Sequence, residues 1–375
     1  MLNKIISIIK PKSIDNFFVK LNFFKDNMVG KAKHYFFGLM NGFKRFSIEA
    51  LQLATADEKY SYRELHYFLT KSDWDENELN EKRINFLEQD VRTRTKIEGG
   101  ISIDDTSTKK CGDKTDGAFW QYSPAEGQQG NCKVVVTSHY ADSVKDFPLD
   151  VESYYQNEES KLDLACLVID KAIKRNLSFN WVFFDNWYCT KQVVEKVEEH
   201  KKYFVSYLKS TRIVIYNNAR TSVSDLVKIA SAKSSDEIID LGKLYVKSLG
   251  LYRLIIKNSK CFITNNFEEK PEAIIGRYKT RWSIDNFYRQ SKDNLAFDQF
   301  QVRNGLSILR HWIMVFLAYT FWVHSKLKGV FSKIYQGTID TLSEFTRLMQ
   351  NLNLVRVAKD QTNVLLAKLS LNSLN

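Results

Sequence analysis

The sequence lacks several features that mark common protein classes. Its five cysteines form no C-x-x-C pair and no histidine stands at zinc-finger spacing, so we expect no disulfide bonds, no structural zinc and a reducing compartment. There is no Gly-rich phosphate loop of the Walker type, so ATP use is not indicated. The longest apolar stretch, Trp312 to Val323, is too short to cross a bilayer and is interpreted as a buried helix. We therefore expect no membrane partner.

What the sequence does have is an excess of positive charge. It carries 55 Lys and Arg residues against 44 Asp and Glu residues, a net charge of +11. This balance favours a polyanionic partner such as DNA or RNA, although a solvated basic surface is the ordinary alternative. The 375 residues predict two or three structural units. Residues 1–10 include a short apolar patch without a small-residue cleavage site, so a signal peptide is not expected.

Residues 1–97 predict a basic, all-helical domain. From about residue 14 the pattern is that of helices joined by short polar turns. Ser61 with Glu64 three residues later predicts a capping box, with Leu65 on the buried face of the helix. A second helix start follows Ser72. The sequence therefore predicts an all-helical N-terminal domain.

After Gly99-Gly100 the pattern becomes that of an α/β domain, predicted over residues 98–325. Three short runs, at 101–106, 118–123 and 131–140, predict a three-stranded antiparallel meander. The order then continues with an amphipathic helix that buries Leu167, a fully apolar strand ending at Asp185, a helix and another strand. A β-rich insertion is predicted over about 211–260, a long helix over about 270–295, and a helical C-terminal region over 326–375.

Three acids stand out by their position in this pattern. Asp104, or its neighbour Asp105, ends an apolar strand, Asp185 follows a buried strand, and Asp285 lies on a helix. Carboxylates at the carboxyl ends of strands lie where open α/β sheets bind ligands. A few carboxylate oxygens suit Mg²⁺ or Mn²⁺ acting on a phosphodiester, whereas helix caps and surface acids are the ordinary alternative. The acids are far apart in sequence, so only the fold could bring them together.

The segment RYKTRWSIDNFYRQSK, residues 277–292, surrounds the third acid with cations. At about 100° per residue, one quarter of the helical wheel carries Tyr278, Arg281, Asp285, Arg289 and Lys292. The adjoining arc is apolar and predicts a packed face. On an exposed helix, Arg281 and Asp285 would form an ordinary salt bridge. In a DNA-cleaving site, the acid would hold a metal ion while the cations and the Tyr278 hydroxyl contact phosphates.

Read as Y-x-x-R-W-x-I-D-x-F-x-x-x-x-K, this segment resembles the Tyr-Arg-Glu-Lys signature of bacterial insertion-sequence transposases of the DDE type. "IDDTSTKKCG" with "GNCKVVVTSHY" resembles the first-Asp region of that group, and "FFDNWYCTKQVVE" resembles its second-Asp region. The resemblance runs in order over about residues 99–305. "YSYRELHYFLTKSDWDENEL" is also similar to the helical part that precedes the catalytic core in such enzymes.

The resemblance implies an RNase H-like catalytic core in which Asp104, Asp185 and Asp285 bind two Mg²⁺ ions, which Mn²⁺ can replace. The first motif of the group, Asp-x-Thr, favours Asp104 over Asp105 because Thr106 then falls in place. The chain departs from the group at its third acid, where Glu is usual.

The same resemblance implies which residues contact DNA. Tyr278, Arg281, Arg289 and Lys292 would contact phosphates of the transposon end. Trp187 and Trp282 match aromatic positions beside the acids, although such residues more often belong to the core.

For the whole protein, the resemblance implies cut-and-paste transposition. The partners would be double-stranded DNA, namely terminal inverted repeats and target DNA, and a second copy of the chain in a homodimer on DNA. The compartment would be the bacterial cytoplasm, at the nucleoid, and the β-rich insertion implies a hairpin intermediate. Two alternatives stay open: a catalytically decayed or domesticated copy that only binds DNA, and an RNase H-like nuclease of DNA repair.

Overall fold

A computed structural model describes residues 12–41, 47–50, 59–110, 112, 114–123, 127–233, 237–330 and 339–372. The chain divides into two compact units. The first combines Met1–Arg94 with Tyr288–Asn375, and the second is Thr95–Phe287. The interpretation of residues 1–10, for which no signal peptide is expected, lies outside the described residues.

The helices, in chain order, are α1 (Lys12–Leu21), α2 (Asp26–Asn41), α3 (Tyr62–Thr70), α4 (Glu76–Glu88), α5 (Lys161–Lys174), α6 (Lys191–Glu199), α7 (Val223–Lys233), α8 (Pro271–Tyr278), α9 (Trp282–Leu295), α10 (Gly305–Leu327) and α11 (Leu342–Asn372). The strands are β1 (Gly100–Lys109), β2 (Ala118–Ser123), β3 (Gln128–Ala141), β4 (Asp146–Tyr154), β5 (Trp181–Phe184), β6 (Tyr203–Tyr207), β7 (Ile213–Tyr216), β8 (Ala219–Ser222), β9 (Ile238–Val246), β10 (Gly250–Lys257) and β11 (Lys260–Thr264).

The first unit is helical, as the sequence predicts for its N-terminal part. The Ser61 side chain accepts a hydrogen bond from the Glu64 backbone, and the Glu64 carboxylate accepts one from the Ser61 backbone. This capping box satisfies two backbone donors that the first turn of α3 would otherwise leave unpaired. Leu65 is buried on the inner face of the helix, as predicted.

Helix α10 is the core of this unit. By length and composition it could cross a membrane, but 89% of its apolar window is buried inside the protein. It packs on α3, α4 and α2, which confirms that the apolar stretch is a buried helix. The compact unit that contains α10 also contains the N-terminal helices and includes Tyr288–Asn375, whereas the predicted domain boundary lies at 325/326.

The second unit contains an 11-stranded sheet with the order β2-β3-β1-β5-β6-β11-β10-β9-β7-β8, and β4 pairs with β3. β1 is antiparallel to β3 and parallel to β5, and β5 is parallel to β6. The order β4-β3-β1-β5-β6 with β3 antiparallel to β1 is the RNase H-like arrangement. The predicted fold class, an α/β protein with this core and a β-rich insertion, is confirmed.

Two details of the predicted strand order were wrong. The first three strands do not form a simple meander, because β3 lies between β1 and β2. Strand β4 was missed, and its sequence contains Pro148, a residue that weakens a strand pattern. The structure accommodates this proline opposite His139, at a shift of the β3–β4 register.

The predicted helices also need correction. The insertion contains α7, on which Val223, Leu226 and Ala230 are buried at helical spacing. The long helix predicted over 270–295 is interrupted by a 3-10 turn at Lys279–Arg281. On α5, Leu167 is 40% exposed and not part of the buried face.

Candidate active site

Asp104 and Asp185 are neighbours because of the parallel pairing of β1 with β5. Ile103 is opposite Phe184 in that register, so the two acids are the next residues along adjacent strands. Adjacent strands are about 4.8 Å apart. Two carboxylates that are distant in sequence thereby stand side by side at the carboxyl end of β5.

The loop after β5 holds Asp185 in a fixed turn. Its Oδ1 accepts hydrogen bonds from the backbone nitrogens of Trp187 (2.8 Å) and Tyr188 (3.3 Å). The Ser206 hydroxyl donates to the Asp185 carbonyl oxygen over 3.0 Å. These contacts order the turn that carries Asp185.

Arg281 brings the third acid to this pair. Its Nη1 donates to Asp104 Oδ2 and its Nη2 donates to Asp285 Oδ2, both over 3.1 Å. Only 15% of the Arg281 side chain is exposed, so these are largely desolvated ion pairs. Electrostatic interaction with Asp185 also favours the charged form of Arg281. One guanidinium therefore bonds two of the predicted acids and interacts electrostatically with the third.

The environment of Asp104 disfavours its negative charge. Burial raises the pKa of its carboxyl to about 7, and the charges of Asp185 and Asp105 add to this rise, whereas Arg281 acts in the opposite direction. A buried carboxylate next to another acid is stabilised by a cation placed between them. In this structure, Arg281 supplies part of that positive charge.

Asp105 has a different set of partners. Lys161 Nζ donates to its Oδ2 over 2.7 Å, and the Tyr188 hydroxyl donates to its Oδ1 over 2.9 Å. Successive side chains of a strand point to opposite faces of the sheet, so Asp105 faces α5 while Asp104 faces Arg281. The structure thus groups Asp104 with Asp185, whereas the choice of Asp104 as first metal ligand stays a prediction.

The resemblance predicts that several residues contact DNA, but not all of their side chains are exposed to solvent. Trp187 and Trp282 are 42% and 64% exposed, so neither is a core residue. Tyr278 is buried, and its hydroxyl donates to the Phe184 carbonyl oxygen over 3.2 Å. In this conformation Tyr278 supports the end of β5. Its predicted contact with a phosphate, like those of the two tryptophans, stays a prediction.

Arg289 and Lys292 lie on α9 one and two turns after Asp285. The boundary between the two units falls inside this helix, after Phe287. Regular helical spacing puts these two cations on the side of α9 that carries Asp285. Their predicted contacts with phosphates remain untested.

The donor atoms of this candidate site are the carboxylate oxygens of Asp104, Asp185 and Asp285. Within the part of the chain that the structure describes, no group of three or more His, Cys, Asp or Glu side chains is arranged to hold a metal ion. The donor chemistry nevertheless fits, because carboxylate oxygens are what Mg²⁺ and Mn²⁺ prefer. The guanidinium of Arg281 donates a hydrogen bond to one oxygen of Asp104 and one of Asp285.

Sequence reasoning missed the residues around Asp105. Lys161 Nζ lies 5.3 Å from the Trp187 ring centroid, and the Trp187 and Tyr188 rings meet edge to face at 4.8 Å. These contacts join the start of α5 to the loop after β5. The one sequence signal for this position is Ser160, which caps α5 directly before Lys161.

Comparison with known proteins agrees with this geometry. A family model described as "DDE superfamily endonuclease" matches residues 21–222. A second, described as "Archaeal putative transposase ISC1217", matches residues 149–330. The "Probable transposase for insertion sequence element IS701" of Microchaete diplosiphon is 30% identical over 160 residues, which are 40% of this chain and 41% of that protein. The chain thus spans about two fifths of the length of this curated relative.

One solved structure shows a more distant likeness. The NurA nuclease from Sulfolobus solfataricus is 11% identical and aligns with a TM-score of 0.25 over 53% of this chain and 80% of its own. The fold is assigned from the strand order of the sheet. The family is assigned from the match to residues 21–222, which make up more than half of the 375 residues. By that match, the chain belongs to the DDE superfamily endonucleases.

Proposed function

We propose that this chain is a transposase that cleaves DNA at the ends of an insertion sequence and joins the freed 3′ end to target DNA by a cut-and-paste route. The observation that carries the proposal is the β1–β5 pairing, which sets Asp104 beside Asp185, together with the Arg281 contacts to Asp104 and Asp285. Three carboxylates and a cation at one edge of an RNase H-like sheet suit reactions of phosphodiesters.

The proposed cofactor is Mg²⁺, with Mn²⁺ as a substitute. Asp104, Asp185 and Asp285 would hold the metal. When bound, such ions lower the pKa of an attacking water and stabilise the leaving 3′ oxygen. The burial of Asp104 beside Asp185 supports this assignment, because positive charge at that position relieves the repulsion between the two acids.

The protein's own side chains would orient the DNA. When DNA binds, a phosphate would replace the two carboxylates as the bidentate hydrogen-bond partner of Arg281. Arg289 and Lys292 would contact phosphates further along the strand. The exposed rings of Trp187 and Trp282 are available for stacking on bases. Tyr278 would reach a phosphate only if its hydroxyl left the Phe184 carbonyl.

The proposed partners are double-stranded DNA, as terminal inverted repeats and as target, and a second copy of the chain, so that two ends are processed together. The proposed location is the bacterial cytoplasm, at the nucleoid. The net charge of +11 supports contacts with phosphates. Binding should then weaken with salt, with a log–log slope of about −0.9 for each neutralised phosphate.

A second candidate function is that of a decayed or domesticated copy that binds DNA without cleaving it. It is favoured by Asp285, which stands where the resembling transposases usually have Glu and which pairs with Arg281 over 3.1 Å. The RNase H-like repair nuclease is disfavoured by the matches to transposase families.

The deciding experiment is cleavage of the element's own end DNA in the presence of Mg²⁺. We expect the wild-type chain to cut, and Asp104→Asn and Asp185→Asn to bind the same DNA without cutting it. Asp105→Asn is the matched control, because this neighbouring acid contacts Lys161 and Tyr188 instead of Arg281. Binding without cleavage by the wild type would select the second candidate. Full cleavage by Asp104→Asn would remove the three-acid site from the mechanism.

A further inference from the structure

Two exposed lysines lie side by side at the edge of the sheet where the acids lie. Between strands β6 and β11, which pair antiparallel, the Leu208 backbone nitrogen donates to the Cys261 carbonyl oxygen over 2.9 Å. Continuing that register by one residue brings Lys209 opposite Lys260, and opposite residues have Cα atoms about 4.5–5.5 Å apart. Both side chains are exposed. The fold therefore sets two positive charges next to each other.

The same edge of the sheet carries Asp185. The parallel pairing of β5 with β6 puts Asp185 level with Tyr207, two residues before Lys209. The lysines are thus about 7 Å further along the strands and one or two strand spacings of about 4.8 Å to the side. Burial raises the pKa of the Cys189 thiol to about 11, whereas nearby cations, Lys209 among them, act in the opposite direction. The charge of Lys209 therefore also reaches the loop after β5.

Two aromatic rings connect Lys260 with Arg281. Lys260 Nζ is 4.9 Å from the Tyr207 ring centroid, and that ring is 4.8 Å from the ring of Tyr278. The Arg281 guanidinium is 5.9 Å from the Tyr278 ring centroid. Each cation is within the roughly 6 Å at which a ring face attracts it. Lys260 therefore lies on the face of the sheet from which Arg281 contacts Asp104.

Lys260 is held by a tight turn between β10 and β11. Asn258 and Ser259 have φ angles of 49° and 59°, as a two-residue type I′ turn requires at both central positions. Lys257 and Lys260 are opposite each other on either side of this turn. Lys257 Nζ contacts Glu237 Oε1 over 2.7 Å. The backbone of the hairpin thus sets the position of Lys260, and the neighbouring acid is paired with Lys257.

The two adjacent lysines favour an anionic ligand. Among the residues that the structure describes, no acid forms an ion pair with Lys209 or Lys260. Like charges directly opposite each other destabilise a sheet, and local arrangements that cost stability are expected at functional sites. A phosphate group between the two ammonium groups would remove this repulsion, and lysine is a common phosphate ligand.

We propose that Lys209 and Lys260 bind one backbone phosphate of the DNA, within about three nucleotides of the bond at the acids. That span follows from a separation of roughly 10 Å from Asp185 and a rise of about 3.4 Å per nucleotide. In the strand order, β6 and β11 lie on the side of β5 away from β1 and Asp104, so the DNA strand would continue across β6. This inference rests on the proposed function and adds a substrate contact to the same site.

The test measures binding of the whole chain to duplex DNA of the element's end between about 50 and 200 mM salt. Lys209→Gln/Lys260→Gln should weaken binding roughly tenfold at about 100 mM salt and reduce the log–log salt slope by about 0.9, the value for one phosphate. Lys209→Arg/Lys260→Arg keeps both charges and should restore most of the affinity and the slope. Lys243→Gln/Lys247→Gln is the matched control, because it removes two exposed charges from β9, which runs away from this edge.

An unchanged slope in Lys209→Gln/Lys260→Gln would overturn the inference. An equal change in the β9 control would also overturn it, since the effect would then come from net charge alone, and so would failure of the wild type to bind end DNA. Cleavage of end DNA is measured in parallel. If the wild type cuts and the glutamine variant keeps the full slope, the proposed function stands and only the phosphate site is lost. If the wild type binds without cutting and the glutamine variant loses the slope, the phosphate site stands and the second candidate function is selected.

Discussion

Arg281 donates a hydrogen bond to Asp104 over 3.1 Å although 177 residues separate the two. A second nitrogen of the same guanidinium donates to Asp285, also over 3.1 Å. One protein cation thus bonds two of the three carboxylates that are proposed to hold a divalent ion. Arg281 and that ion must therefore compete for the same oxygens in the absence of DNA.

This competition predicts that Arg281→Gln binds divalent cations more tightly. A charge-assisted hydrogen bond contributes about 1.5–3 kcal/mol, so we expect the dissociation constant for Mn²⁺ to fall by roughly tenfold. Calorimetry without DNA measures it, with both proteins at the same pH well above 7, because loss of Arg281 raises the pKa of Asp104 further. Arg277→Gln is the control, because Arg277 pairs with Glu269 over 2.8 Å, away from the acids. Unchanged or weaker Mn²⁺ binding in Arg281→Gln would contradict the prediction.

Asp285 gives a second prediction, on catalysis. Asp285→Asn should abolish Mg²⁺-dependent cleavage and leave end binding nearly intact, because an amide lacks the anionic oxygen that a hard cation needs. Asp285→Glu should keep measurable activity, since Glu is usual at this position in the resembling transposases. If the acid served only its largely desolvated ion pair with Arg281, Asp285→Asn would lower the stability by more than the roughly 0.3–0.5 kcal/mol of an exposed helix pair, and cleavage would be normal.

The approach of Asp104 to Asp185 could be anticipated only in part from the sequence. The apolar run that ends at Asp185 predicts a buried strand, and the run that ends at Asp104 predicts another. Their parallel register, Ile103 opposite Phe184, depends on packing between distant segments and has no local signal. The order of the motifs predicts that the acids group together. The register of β1 with β5 is the physical cause of the approach of Asp104 to Asp185.

The helical wheel was correct for Arg281 and Asp285, and Tyr278 also lies beside Arg281, whose guanidinium is 5.9 Å from the Tyr278 ring centroid. The first two are four residues apart, and their side chains meet as helical spacing requires. Tyr278 precedes the 3-10 turn at Lys279–Arg281. Such a turn winds more tightly than an α-helix, so the residues before it are rotated about the helix axis relative to α9. The Tyr278 ring is buried and its hydroxyl donates to the Phe184 carbonyl oxygen, while Arg281 faces the acids. No residue in "YKTRW" signals such a turn.

A third prediction concerns the start of α5, which presents Lys161 to Asp105. Ser160 Oγ accepts a hydrogen bond from the Asp163 backbone over 3.2 Å, and the Ser160 backbone donates to Asp163 Oδ2 over 2.9 Å. Ser160→Ala should lower the free energy of unfolding by about 1 kcal/mol, as loss of an N-cap usually does. Urea denaturation measures the change, and Ser160→Thr, which retains the hydroxyl, should recover most of it. An alanine variant as stable as the wild type would show that the cap contributes little here.

The last prediction is a pH dependence of stability that comes from His324. Its imidazole packs on Phe86 with the ring centroids 4.7 Å apart. Nearby, Lys328 Nζ contacts Asp90 Oδ2 over 2.9 Å, and His324 Nε2 is 3.5 Å from the same oxygen. Burial lowers the pKa of His324 to about 4, and Lys328 adds to the decrease, while Asp90 opposes it.

Because the folded pKa lies below the usual value of 6.5, the unfolded chain takes up a proton first as the pH falls. Stability should therefore be full above about pH 6.5 and should decrease towards pH 4, with a loss of about 2 kcal/mol by about pH 5 from this group. His324→Gln cannot take up this proton, so urea unfolding from about pH 7 to pH 5 should show a smaller loss than in the wild type. Equal losses in the two proteins would mean that His324 is solvated well enough to be protonated in the folded state.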